Sequence, residues 1–551
     1  MIKNITGFIF SLLFITTLPT FGQEVYVHVN NTDLYDYLDE LASAHLITIN
    51  SAIKPYSRIF IAHKLEEASL HRADLNKRQV EELDFYLKDF NQELTPGSGK
   101  AEILKYKNNN LRTDLLYYKD TLFTFRLNPI IGGTYFKNDS GSFYRRFTGA
   151  DFFAYVGKNF AFYASLRDIH ESIRLSDPSY LNMAEGSNYK PDTKGGGDYD
   201  EIRGGMTYSW KWGSVGLVKD HFVWGDNYHG SNIFSGRQPS FTQLKFHINP
   251  VKWFDFNYVH GWLVSDVIDS SRTYMNGASN RIVFEPKFVA ANMFTFMPWQ
   301  NWSFSFGNSI IYSDQNLHPA YFIPFLFFKS IDHSLTSSGS NFLGQNSQLF
   351  FNFSSRALKN THLYMSTYID EIALGNALDS KKQTNFLSVK IGGKVMNILN
   401  KNLSVTAEYT RTNPGAYRHY LLTGTFANSS FNMGHYLGEN AQEIYVAVGA
   451  KPIAKMIVQG SITMAQKGQE YVYTGSASSG DGIGLPFINK VNWENKEINF
   501  NIKYQVLNDC WVYAGVMKSE SSGVMATLDQ YTMPYYKGKK TTISLGANLG
   551  F

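Results

Sequence analysis

Cysteine is nearly missing from this 551-residue chain: Cys510 stands alone. No intrachain disulfide can therefore form, and no cysteine follows the N-terminal leader to carry a lipid. Cys510 lies beside an expected turn, where a structural role is expected rather than a reactive one. Past the leader there is no run of 18 apolar residues, which excludes helical membrane spans; the mean hydropathy of −0.26 agrees. Charge of one sign is also lacking. The 51 basic and 47 acidic residues leave a net charge of +4, so nothing points to nucleic acid. The histidines show no zinc-hydrolase spacing of the His-Glu-x-x-His kind. Catalytic motifs are missing too. Gly475-Ser476-Ala477-Ser478-Ser479-Gly480 comes nearest to a Gly-x-Ser-x-Gly elbow. Read forward, it puts Ala477 at the nucleophile position; read back from Gly480, it puts Ser476 where the first glycine belongs. The chain is expected to be no enzyme and to hold no cofactor or metal. Asp198-Tyr199-Asp200-Glu201 is a weak calcium candidate, better read as a solvated acidic loop feeding a strand.

Aromatic residues, in contrast, make up 16% of the chain, with 35 Tyr and 42 Phe. Many aromatics without long apolar runs suit a transmembrane barrel with interfacial girdles. Residues 1–22 read as a secretory signal peptide: Lys3, an apolar stretch from Phe8 to Leu18, and small residues around Phe21, leaving Gln23 as the new start.

The last stretch sets the pattern for the rest. Ile543, Leu545, Ala547, Leu549 and Phe551 alternate with Thr542, Ser544, Gly546, Asn548 and Gly550. A period of two defines a strand with one oily and one polar face, and about 10 residues cross a bilayer when tilted. An open edge of that length templates aggregation, so the strand is expected to close a barrel against the first one. The terminal pattern resembles the last strand of bacterial outer-membrane proteins, which implies recognition by the barrel assembly machinery as well as contact with outer-membrane lipid. The same alternation runs through Phe160–Arg167 and Leu403–Thr410, and through Trp302–Ser313 with breaks at Asn308 and Ile311.

Short turns are expected at 157–159, 212–214, 249–252, 298–301, 358–360, 399–402, 450–452 and 507–509. Longer polar stretches fall at 137–143, 173–198, 224–240, 265–279, 314–345, 374–383, 411–440, 468–489 and 518–536. Short inner turns and long outer loops are the outer-membrane pattern, and the two counts together give about 18 antiparallel strands over residues 111–551. Residues 23–110 differ. Leu34, Leu38 and Leu41 follow a helical period, a second helix starts at Ser57 as N-cap, and a third starts near Asn76. They form a small periplasmic α-helical bundle, charged outside, with Pro96-Gly97-Ser98-Gly99-Lys100 as a linker signal. The expected fold class is thus an all-β transmembrane barrel with an N-terminal helical bundle, located in the outer membrane.

Two stretches carry a family resemblance. One is Tyr35-Asp36-Tyr37-Leu38-Asp39-Glu40-Leu41, then Leu46-Ile47 and Pro55-Tyr56-Ser57-Arg58. The other is Leu217-Val218-Lys219-Asp220, Trp224-Gly225-Asp226, Gly230 to Gly236, and Pro239-Ser240-Phe241. Pro324, Asn341-Phe342-Leu343-Gly344, Leu363-Tyr364 and Asp370-Glu371 fit less tightly. Together they resemble the capsule-assembly Wzi family. The resemblance implies a barrel of about 18 strands with a helical bundle at the periplasmic end. It also implies non-enzymatic binding of capsular polysaccharide or exopolysaccharide at the cell surface. A passive porin-like channel and a barrel subunit of a secretion or gliding complex are the alternatives. The candidate carbohydrate-binding residues are Trp224 and Tyr228, which can stack on sugar rings, and Asp226, Asn227 and Arg237, which can bond hydroxyls. Lys219, Asp220 and His221 are expected to form an ion pair in the lumen.

Overall fold

The computed structural model describes residues 23–104, 112–313, 316–336, 345–399, 401–471 and 483–550. The expected leader, the elbow-like stretch 475–480, Asn341–Gly344 and Phe551 lie outside those residues. Eighteen antiparallel strands, from Phe123–Asn138 to Gly538–Leu549, form one closed barrel. The last strand pairs with the first through Ile543↔Lys137, Leu545↔Tyr135 and Leu549↔Ile131, so no edge is left open. The lipid and lumen faces follow the pattern of two. Phe160, Phe162 and Leu166 are exposed, whereas Ala161, Tyr163, Ser165 and Arg167 are buried. The inner turns fall where the sequence places them, as at Asn508–Asp509 between Leu507 and Cys510. One outer stretch is shorter than expected. Residues 137–143 are a two-residue hairpin, with Lys137↔Ser142 and Asn138↔Gly141 still paired. Asn138 Oδ1 accepts from Ser140 N at 2.9 Å, an Asx-type turn that needs no longer loop.

Three helices, α1 (Thr32–Ser43), α2 (Arg58–Ser69) and α3 (Lys77–Leu94), precede the barrel. Ser57 caps α2 by accepting from Phe60 N at 3.3 Å. Asn76 and Gln79 form a reciprocal capping box on α3. The helices share a core of Leu34, Leu38, Leu41, Ile61, Leu65, Leu83 and Phe90. They sit against the short-turn mouth: Asn360 N donates to Ser43 O at 2.6 Å, and Asn508 Nδ2 donates to Phe85 O at 3.1 Å. The charged side of α1 is not solvated. Asp33, Asp39 and Glu40 are each under 10% exposed, because that side faces the barrel interior.

Candidate functional site

The lumen is occupied. After the strand Gly213–Asp220 the chain turns inward, and Val223–Trp224 pairs with Ile53–Lys54 from the connection between α1 and α2. Trp224 also exchanges backbone hydrogen bonds with Phe234, folding the segment into a small loop. Its indole ring is enclosed by Phe222, Phe234 and Phe350, with centroids at 5.5, 5.3 and 6.5 Å. A second inward segment, residues 413–440, meets it. Tyr417 Oη donates to Asn232 O at 2.6 Å, and Phe426 and Met433 join the same buried cluster. Residues 221–240 and 413–440 thereby form an apolar core inside the barrel, where a channel would hold water.

The five expected carbohydrate contacts do not share one environment. Trp224 is in that core, with no free face in this conformation. Asp226 is fixed to the wall: its Oδ2 accepts from Asn352 Nδ2 at 2.7 Å, and its N donates to Asn352 Oδ1 at 2.9 Å. Arg237 donates to Ala184 O at 3.1 Å and Tyr180 O at 2.8 Å, tying the segment to the 172–196 loop. Burial lowers its guanidinium to about 10. Asn227 and Tyr228, together with Asp226, line a cavity of about 360 Å³ between α1 and the barrel wall. Tyr228 Oη donates to Asp39 and lies 2.8 Å from His362 Nδ1. Tyr228 N donates to Glu408 Oε1 at 2.7 Å.

The acidic stripe of α1 closes the other side of this cavity, and the sequence reading missed its role. Positions 33, 36 and 40 share one helical face. Asp33 meets Lys503 at 3.0 Å, Asp36 meets Lys394 at 2.7 Å, and Glu40 meets Lys451 at 3.1 Å and also Arg78. Asp39 pairs with Arg356. The signal was present: four acids in one stripe with no matching base on α1. Burial pushes Asp39 up, but Arg356, His362 and Lys394 outweigh it and hold the carboxyl well below its usual range. Burial likewise opposes Glu40, and Lys451 and Arg78 bring it down to about 2. Both carboxyls are lower than in an unfolded chain, so their stabilisation is complete above roughly pH 5 and lost as pH falls toward 2. Amide-exchange protection factors of α1 are expected to match at pH 7 and 6 and to fall at least tenfold by pH 2.5. Unchanged protection at pH 2.5 contradicts the electrostatic latch.

His221 lies 3.0 Å from both Glu185 and Glu201. Burial lowers it, but the two carboxylates outweigh burial and raise it to about 10. Asp220 accepts from Tyr163 Oη at 2.8 Å and pairs with Arg203 at 3.3 Å. Lys219 points away, to Ile202 O at 2.8 Å. His28, Glu185 and His221 lie close enough for one metal ion. However, His28 Nδ1 already accepts from Asn30 N at 2.9 Å, so in the neutral ring Nε2 carries the proton and has no lone pair to give. Asp198–Glu201 is strand rather than loop. Tyr199 and Glu201 point inward, whereas Asp198 pairs with His170 at 2.7 Å.

No family model matches the chain, and no curated protein matches it in sequence. Among solved structures it is similar to Wzi of Escherichia coli, described as an outer membrane protein involved in group 1 capsule assembly and a carbohydrate-binding β-barrel. The TM-score is 0.57 at 11% identity, over 96% of this chain and 100% of that one. Pseudomonas aeruginosa OccD3 (TM-score 0.42, 8% identity, 84% and 97% covered) and Acinetobacter baumannii OccAB4 (0.42, 9%, 80% and 99%) are more distant. The protein is an outer-membrane β-barrel, and its place is the cell outer membrane. Its fold resembles that of Wzi along nearly its whole length.

Proposed function

We propose that this barrel binds capsular polysaccharide or exopolysaccharide and keeps it at the cell surface without chemical change, as a member of the Wzi-like class. The packed lumen is the observation that carries the reading. With residues 221–240 and 413–440 forming a core around Trp224, the barrel is a scaffold rather than a passage. The chain-long likeness to a carbohydrate-binding barrel supports the same reading. Within the 224–237 stretch, Asp226, Asn227 and Tyr228 face the cavity behind α1 and are the proposed contacts for a sugar segment on the periplasmic side of the core. Trp224 and Arg237 hold the segment that presents them. On the cell-surface side of the core the polymer meets the outer loops, where Tyr274 is exposed on a hairpin opposite Arg281. An aromatic face beside a cation suits an acidic sugar.

Deleting the gene is expected to release surface polysaccharide into the medium while its synthesis continues. Purified protein in lipid nanodiscs is expected to retain the cell's own polysaccharide on a column. Unchanged surface retention, together with no binding on the column, overturns the reading. A large protein partner co-purifying after mild solubilisation would instead favour a subunit of a secretion or gliding complex.

A further inference from the structure

The face of the barrel that meets the membrane carries a row of polar side chains where hydrocarbon-facing residues belong. Strands Phe254–Leu263, Lys287–Phe296 and Trp302–Ser313 are in register through Tyr258↔Asn292↔Asn308 and His260↔Ala290↔Ile310. The opposite face of these strands is the lumen, since Val259, Val289, Ala291 and Met293 belong to the core around Trp224. Tyr258, His260, Asn292 and Asn308 therefore point outward, on the side that also bears Phe304 and Phe306. Yet all four are buried. What covers them is an excursion of the chain between two strands: an irregular stretch from Leu317 to Phe327, then helix α4 (Phe328–Thr336).

We infer that residues 316–336 form a strap embedded in the membrane on the outside of the barrel, with its apolar face against lipid acyl chains. Asn292 stands four residues above Phe296, where the strand ends. That is roughly 10–15 Å above the rim, within an apolar band about 25 Å tall. Irregular backbone is excluded from hydrocarbon when its polar groups lack partners; here the wall supplies them. Asn292 Nδ2 donates to Pro324 O at 2.9 Å and Leu326 O at 3.0 Å. Phe328 N donates to Asn308 Oδ1 at 2.9 Å, and Tyr258 Oη donates to Tyr321 O at 2.7 Å. His260 stacks on Phe322 at 3.9 Å, and Phe256 stacks on Phe325 at 4.5 Å. The far end returns to the outer rim, where Gln345 N donates to Asp332 Oδ1 at 3.1 Å. The outer surface of the irregular stretch is Ile323, Phe325, Leu326 and Phe327, all exposed; α4, toward the outer rim, exposes Lys329 and His333 beside Leu335. The apolar surface of the irregular stretch continues the belt formed by Phe304, Phe306 and Phe351 on the neighbouring strands, and that continuity selects acyl chains as the occupant.

The test is spin-label accessibility in liposomes, on a Cys510→Ser background, with a nitroxide at Phe325→Cys or Phe327→Cys. Phe306→Cys serves as the lipid-facing reference and Tyr274→Cys as the aqueous one. Labels on the strap are expected to match Phe306→Cys: readily relaxed by oxygen and protected from a water-soluble nickel chelate. Relaxation by the nickel chelate at the level of Tyr274→Cys overturns the inference. Protection from both reagents also overturns it, since a second copy or another protein would then cover the strap. Adding Asn292→Leu is expected to raise the mobility of the label at 325 at least twofold while the barrel keeps its heat-modifiable migration. Unchanged mobility contradicts the docking role of Asn292.

Discussion

Asp89→Ala is expected to destabilise the helical bundle on the barrel mouth by about 3–5 kcal/mol, the range for removing one partner from a buried ion cluster. Asp89 lies on α3 with its carboxyl among three guanidinium groups: Arg58 at 2.9 Å, Arg126 at 3.1 Å and Arg112 at 3.2 Å. Burial alone would raise its pKa, but the three arginines outweigh burial and keep it ionised. Two of the cations also stand over the Phe153 ring, Arg58 at 4.9 Å and Arg126 at 4.6 Å. Without Asp89, Arg58 keeps Glu93 and Arg112 keeps Asp114, while Arg126 is left with Asp151 at 3.5 Å. Arg112 also keeps Asp509, but Arg126 loses its nearer carboxylate while it stays buried at the join between α3 and the first barrel strand. The effect should appear as protease cleavage in α2 and α3 at urea concentrations where the wild-type bundle resists. As a control, Lys64→Ala removes a half-exposed pair with Glu67 and should change stability by less than about 1 kcal/mol. Equal behaviour of the two variants would mean that the buried cluster does not hold the bundle in place.

Trp224→Ala is the second large effect. The ring fills the centre of the lumen core, and deleting a buried tryptophan costs about 3–5 kcal/mol. The loss falls on a segment tied to the rest by few backbone bonds, so residues 221–240 should detach before the barrel unfolds. Two signs are expected together: an earlier first transition in urea by intrinsic fluorescence, and conductance bursts in planar bilayers. Phe160→Ala, on the lipid face, removes a comparable ring but should produce no bursts. A Trp224→Ala barrel as silent as the wild type would show that this core does not seal the lumen.

Much of the fold is legible in the sequence, because a barrel wall repeats one rule. The alternation over Phe160–Arg167 and Ile543–Leu549, the inner turns and the caps at Ser57 and Asn76 are all local signals, and each corresponds to an element of the structure. The breaks in the rule carry information of another kind. In Trp302–Ser313, Ile311 is apolar on the lumen side because it packs into the core around Trp224. Asn308 is polar on the lipid side because it receives the backbone of Phe328. Neither partner is near in sequence, so the pattern can register the break without saying what fills it. The acids of α1 show the same limit. Asp33, Asp36 and Glu40 resemble a solvated helix face until the chain closes and brings Lys503, Lys394 and Lys451 around them. At the candidate site the sequence singled out the stretch 224–237 as a whole. It could not sort Trp224, which is enclosed, from Asp226, Asn227 and Tyr228, which face the cavity, since burial in a filled lumen depends on loops far apart in the chain.

Single-channel recording on the purified wild-type protein in planar bilayers tests the occupied lumen most directly. A flat trace at the baseline of the empty bilayer is expected across the full voltage range, with insertion verified by protease protection in matched liposomes. Stable, ohmic open levels at rest would contradict a barrel sealed by its own chain, and the proposal of a surface scaffold would give way to that of a pore.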